Sequence, residues 1–287
     1  MKLVVVIQAR MTSTRLPGKV LLPLAGQPLL ARMIERVSAA AELDELCIAT
    51  TASADDQPIR ELGRSLGVHV EAGHPTDLLD RHLQAGRALG ADAVVKIPSD
   101  CPLIEPSVID RVLGRFRSEP GRWDLVTNLQ PPSWPDGNDV EVLPLDVLET
   151  AWAEARRPLE REHTTPFVWD QPERFRVLNI TSDLGPDLSR THRFTIDYAE
   201  DYRFIAAVYA ELWSAAHPVF SLFQILELLE ARPELLELNA RWAGQSWHGA
   251  HLGELRTLQK GPAPESPPAP KPRRADRIER AVRGEDS

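Results

Sequence analysis

Short apolar runs alternate with amphipathic stretches over the first hundred or so positions, and the two patterns predict different elements. Leu3–Ile7, Leu46–Thr50, Val68–Glu71 and Ala93–Ile97 are brief runs of the kind found in strands buried on both faces. Between them, Leu29, Leu30, Met33, Ile34 and Val37 fall on one face of a helix, with Pro28 suited to its first turn. Ile59, Leu62 and Leu66 mark a second helical stripe, and Leu78, Leu79, Leu83 and Leu89 a third. This rhythm predicts an α/β, Rossmann-like fold in which helices sandwich a mostly parallel sheet. Ligands of such sheets bind beyond the carboxyl ends of the strands.

From about Trp123 to Thr195 the rhythm loosens. Leu125–Leu129, Val140–Leu143, Phe175–Ile180 and Phe194–Ile196 read as strands, with a helix over Leu145–Arg156 and a proline-marked loop at 131–135. We expect an inserted β-rich lobe over about 123–195 within one domain spanning 1–259. Helical patterns follow near Glu200–Trp213, Leu222–Ala231 and Glu234–Trp242. From Lys260 to Ser287 proline, alanine and charge dominate, and a segment with so little to bury is expected to be a disordered tail.

Composition narrows the function. The net charge of -9 argues against nucleic-acid binding, which usually shows a basic domain. A phosphate site in such a field has to be a local cluster of cations, helix N-termini or metal. The run Leu3–Ile7 is shorter than a signal-peptide core, and no stretch approaches the ~18 apolar residues of a membrane span. With two cysteines, Cys47 and Cys101, no disulfide framework is implied, and the cytoplasm is the expected compartment.

The first strand runs into Gln8-Ala9-Arg10-Met-Thr-Ser13-Thr-Arg15-Leu-Pro-Gly-Lys19. Neither a P-loop nor the dinucleotide fingerprint fits: Val20 follows the lysine, and the three spaced glycines are absent. What remains is a strand-end loop whose Arg10, Arg15 and Lys19, with hydroxyls at Thr12, Ser13 and Thr14, suit triphosphate oxygens. A solvated surface loop is the alternative. Asp100, in Val95-Lys-Ile-Pro-Ser99-Asp100-Cys-Pro-Leu-Ile, follows a buried strand and could face a ligand. A hard oxygen there suits Mg²⁺, and Pro106 and Ser107 serve the next helix start better. Asp197, in Arg193-Phe-Thr-Ile-Asp197-Tyr-Ala-Glu-Asp201, also ends a short apolar run, with a helix N-cap as the alternative.

These segments together resemble the cytidylyltransferases that make CMP-activated keto-acid sugars, of the KDO and acylneuraminate type. Gln8 in place of a usual proline is most similar to the branch that includes the spore-coat polysaccharide enzyme. The resemblance, over about residues 1–245, implies the nucleotide-diphospho-sugar transferase fold, CTP and a sugar as substrates, Mg²⁺ and a homodimer. It implies that Gln8, Ala9, Arg10, Ser13, Arg15, Lys19, Arg81 and Ser99 contact the nucleotide. Asp100 and Asp197 would be metal ligands, and Arg10, Lys19 and both acids would carry the reaction. Asp136-Gly-Asn-Asp139-Val-Glu141 and Glu160-Arg161-Glu-His163 resemble the part covering the sugar, which makes Asp139, Glu141, Arg161 and His163 sugar-side candidates. The pair His248 and His251 reads as structural or incidental. A glycosyltransferase of related fold, and a catalytically silent nucleotide-binding homologue, are the alternatives; the first usually shows an Asp-x-Asp pair, which this sequence lacks.

Overall fold

The first strand, β1 (Leu3–Gln8), splits its side chains between two apolar layers, Leu3, Val5 and Ile7 into one and Val4 and Val6 into the other. A strand so divided has to lie inside a sheet covered on both faces. The computed structural model describes residues 1–245, His251 and 253–257, and it has that architecture. After β1 come a small hairpin of β2 (Pro23–Leu24) and β3 (Gln27–Pro28), then α1 (Leu29–Val37), β4 (Glu45–Thr51), α2 (Gln57–Ser65) and β5 (His69–Gly73). Next are α3 (Leu78–Ala88), β6 (Ala93–Pro98), α4 (Pro106–Ser118), β7 (Leu125–Thr127), β8 (Glu141–Pro144) and α5 (Leu145–Glu154). The chain continues through α6 (Pro158–His163), α7 (Pro166–Trp169), β9 (Val177–Asn179), α8 (Ala199–Leu212), α9 (Leu222–Ala231) and α10 (Glu234–Glu237).

The main sheet has the order β5-β4-β1-β6-β8-β7-β9. Strands β5, β4, β1 and β6 are parallel; β8 is antiparallel to β6 and β7, and β9 returns parallel to β7. The strands within 123–195 therefore extend the central sheet, β8 hydrogen-bonding directly onto β6, with β7 and β9 following beyond it. One apolar layer packs α1, α4, α8 and α9 through Leu30, Val108, Phe204 and Ile225; the other packs α3, α5 and α7 through Leu83, Leu148 and Trp169. Because β4 lies on one side of β1 and β6 on the other, a crevice opens beyond the carboxyl ends of β1 and β6, the usual ligand position of such folds. Gln8 and Pro98 end those strands side by side.

Several predicted boundaries move. Phe194–Ile196 is not a strand: it follows an isolated bridge between Arg193 and Asp136 and pairs with no strand. Its backbone instead ties two site loops together, with Phe194 N donating to Asp136 O at 2.7 Å and Ile196 N to Asp100 O at 2.9 Å. The helix predicted over Glu234–Trp242 breaks into α10 and a 3-10 turn at Ala240–Trp242. Pro28 precedes α1 rather than opening it. The start of α4 is capped by Glu105, whose carboxylate accepts from Ser107 N at 3.4 Å, and not by Pro106 or Ser107. The proline-rich stretch from Lys260 and His248 lie outside the described residues. Among the described residues no helix is long and apolar enough to cross a membrane.

Candidate active site

A cleft of about 1000 Å³ opens at the ends of β1 and β6. The loop after β1 forms one wall and is pinned from below. Asp56 accepts from Met11 N at 2.7 Å and also from the Thr51 hydroxyl. Gly18 N then closes the loop on Met11 O at 2.9 Å. Gly18 has φ 70°, a left-handed turn that costs a side-chain-bearing residue strain and glycine little. That turn delivers Lys19, 9% exposed, into the cleft floor.

Lys19 is where the separate motifs meet. Its ammonium donates to Asp100 Oδ2 at 3.0 Å, to Asp197 Oδ1 at 3.0 Å and to the Ile196 carbonyl at 2.7 Å. Burial alone would lower the Lys19 pKa, but the two carboxylates outweigh it and raise it above the ordinary lysine value. Asp197 is also held by Arg15 Nη2 at 2.7 Å on Oδ1 and by Arg193 Nη2 at 3.0 Å on Oδ2. Burial pushes its pKa up, yet Lys19, Arg15 and Arg193 together hold it below the usual carboxylate value.

The capping role open to Asp197 falls to another residue. Tyr198 occupies the N-cap of α8, and Asp201 accepts from the backbone N–H of Asp197 at 2.9 Å and of Tyr198 at 3.0 Å. Asp201, fully buried, thus satisfies the helix start and leaves the Asp197 carboxylate facing the cleft.

Residues 4–230 match the cytidylyltransferase family model, most of the chain. This chain belongs to the cytidylyltransferase family. A cytidylyltransferase of Leptospira borgpetersenii serovar Hardjo-bovis, solved as a structure, has a TM-score of 0.77 at 32% identity, over 82% of this chain and 97% of that one. The spore coat polysaccharide biosynthesis protein SpsF of Bacillus subtilis is 29% identical over 236 residues, 80% of this chain and 94% of its own. A CMP:2-keto-3-deoxy-manno-octonic acid synthetase solved in complex with CTP shares the fold at a TM-score of 0.57 and 20% identity, over 74% of this chain and all of that one. The cytidylyltransferase is accordingly an enzyme, a nucleotidyltransferase.

In this cytidylyltransferase Gln8, Ala9, Arg10, Ser13, Arg15, Lys19, Arg81, Ser99, Asp100, Asp139, His163 and Asp197 all line the cleft. Arg81 is 2% exposed, and among the described residues its Nε and Nη1 have no hydrogen-bond partner. Burial, then the charge of Arg10, pushes its pKa down to about 10 against the opposing charges of Asp56 and Asp77, and its two unsatisfied N–H groups leave room for a ligand acceptor. Two predicted sugar-side residues lie elsewhere. Glu141 is buried beneath the cleft, paired with Lys96 Nζ at 2.6 Å and accepting from Thr165 Oγ1 at 3.0 Å. Arg161 packs outside it, donating to the Trp152 carbonyl at 2.7 Å and pairing with Asp77 at 2.8 Å.

Sequence reasoning passed over Lys96, Asp136 and Arg193, which also line the cleft. Lys96 lies two positions before the end of β6 and two residues after Val94 in an apolar run, where a lysine calls for a partner carboxylate. Asp136 is pushed well above the ordinary carboxylate value by burial and by Asp139, and Asp139 is raised to about 6 by burial and by Asp100. Acids crowded in this way favour a cation among them. A divalent ion fits the donor set: Asp100 and Asp197 offer hard oxygens converging on a position where the Lys19 ammonium now stands as the cation. Among the described residues no group of three or more His, Cys, Asp or Glu is arranged to hold a metal.

Proposed function

We propose that the chain transfers CMP from CTP to a hydroxyl of a keto-acid or related sugar, releasing pyrophosphate, to supply activated sugar for surface polysaccharide. One observation carries this reading: Asp100 and Asp197 converge at Lys19, beside a rim holding Arg10 and Arg15, at the crevice where the sheet binds ligands. Transfer of a phosphoryl-type group needs positioning and charge stabilisation more than a protein nucleophile. Arg10, Arg15 and Lys19 supply donors to the β and γ phosphates and to the departing pyrophosphate. Arg81 offers its unused N–H groups to the nucleotide from the buried side. Asp139 and His163 face the sugar half, while Glu141 acts through Lys96, holding that ammonium at the wall. Mg²⁺ held by Asp100 and Asp197 would polarise the α-phosphate and lower the pKa of the attacking hydroxyl.

The same reading makes the enzyme cytoplasmic, where CTP is available, and a homodimer. Its test is pyrophosphate release with each of the four nucleoside triphosphates, Mg²⁺ and a panel of keto-acid sugars. Release that requires both CTP and one of the sugars supports it. CTP binding with no release from any pair identifies a silent homologue instead.

A further inference from the structure

Arg193 belongs to neither the phosphate rim nor the carboxylate pair, yet its guanidinium touches acids from two parts of the cleft. Nη2 lies 3.0 Å from Asp197 Oδ2, Nε lies 3.0 Å from Asp201 Oδ1, and Nη1 lies 3.2 Å from Asp136 Oδ2. Nη1 also donates to the Gln245 carbonyl at 2.8 Å. The side chain is 3% exposed, so its charge is balanced by these acids and not by water.

Both flanks of the fork are built to hold it. Asn239 donates to the Arg193 carbonyl at 2.9 Å and to Asp201 Oδ1 at 3.2 Å. On the other side, Asp136 N donates to His192 O at 2.9 Å, which sets the Asp136 turn against the Arg193 segment. That approach requires Gly137: at φ 104° a Cβ there would fall 2.7 Å from the Phe194 carbonyl carbon. A planar guanidinium fixed on three acids immobilises them in one geometry, which a lysine point charge cannot do.

We propose that Arg193 is a positioning residue that clamps Asp197 and Asp136 in one frame, so that the metal-side carboxylate and the sugar-side wall are set by a single fork. With Oδ2 of Asp197 occupied by the fork, Oδ1 is the oxygen that faces Lys19, Arg15 and a substrate-borne cation. The clamp deepens the proposed CMP transfer and rests on that reading. Partners that orient metal-binding carboxylates typically matter by about 10- to 100-fold in affinity or activity.

The experiment uses the full chain as wild type, Arg193→Lys, Arg193→Met and Asp136→Asn. Calorimetric titration with CTP, with and without Mn²⁺, gives a readout independent of the sugar. Without metal, Arg193→Lys binds CTP within about 3-fold of wild type, because the rim is untouched; with Mn²⁺ it loses about 10-fold or more. In turnover with the sugar that supports release, kcat falls at least about 10-fold in Arg193→Lys and further in Arg193→Met, so the conservative variant recovers part of the loss. A purely structural role lowers the melting temperature and leaves these ratios at wild-type values, and that result in folded Arg193→Lys overturns the clamp. If neither Arg193 variant folds, Asp136→Asn decides: it removes one arm, and the clamp requires kcat to fall as well as the sugar KM to rise, whereas a change in KM alone overturns it. Absence of CTP binding and release in the wild type is a different result, and it removes the functional reading itself.

Discussion

Asp100 and Asp197 meet on one ammonium, each placing a carboxylate oxygen 3.0 Å from Lys19 Nζ. Replacing Lys19 with Met leaves the two acids facing each other without their shared cation. Turnover should drop by about 10²- to 10³-fold, as when a charge-stabilising donor is lost. Mn²⁺ should raise the melting temperature of Lys19→Met by more than that of the wild type, because the ion no longer displaces an ammonium from its seat. Equal shifts in differential scanning fluorimetry count against the shared seat.

Arg81 predicts an opposition between stability and binding. Among the described residues its buried guanidinium has two nitrogens without partners, and its pKa is pushed down to about 10. Arg81→Met removes a buried cation with two unsatisfied N–H groups and should leave the melting temperature of the free protein unchanged or raised. CTP affinity should fall by about 10-fold or more, the worth of one charge-assisted hydrogen bond. A variant that loses stability and keeps its affinity reverses the assignment.

Asp139 gives a pH dependence with a definite sign. Burial and the charge of Asp100 raise it to about 6, so between that value and the unfolded value near 3.8 the folded protein holds a proton the unfolded chain has lost. Stability therefore grows as pH falls through that window and is lost as pH rises through it. At pH 7.5 Asp139→Asn should be more stable than wild type by about 1 kcal/mol, with the gap closing near pH 4. Denaturant titrations at a few pH values check it, and a constant gap contradicts it.

Glu141 distinguishes a scaffold from a substrate contact. Its pair with Lys96, at 2.6 Å, has both side chains buried. Glu141→Gln strands the Lys96 ammonium and should cost about 3 kcal/mol of stability, a loss read directly by chemical denaturation. A fully stable variant with only a raised sugar KM would place Glu141 in the sugar site after all.

The fold was legible wherever burial dictated the pattern. The runs Leu3–Ile7 and Ala93–Ile97 could hardly be other than strands covered on both faces, and they are neighbours in the sheet. Phe194–Ile196 misled because Phe194 and Ile196 are fully buried without being in a ladder; their backbone serves Asp136 and Asp100 instead. In the site, the residues at the ends of buried strands could be picked out, since a charge directly after an apolar run needs a reason. Glu141 and Arg193 show what could not. Glu141 is an acid in the first position of β8 and reads like a ligand contact until its register partner, Lys96, is known. Arg193 finds its acids four and eight residues ahead and in a distant turn, and only the fold brings Asp136 to it.

The most direct test of the account is Mg²⁺-dependent pyrophosphate release from CTP by the wild type, Asp100→Asn and Asp197→Asn, with the keto-acid sugars offered one at a time. Release is expected with CTP and not with ATP, GTP or UTP, with a loss of about 10³-fold or more in each variant while both remain folded. Wild-type rates in either Asn variant, or release indifferent to the base, would contradict it.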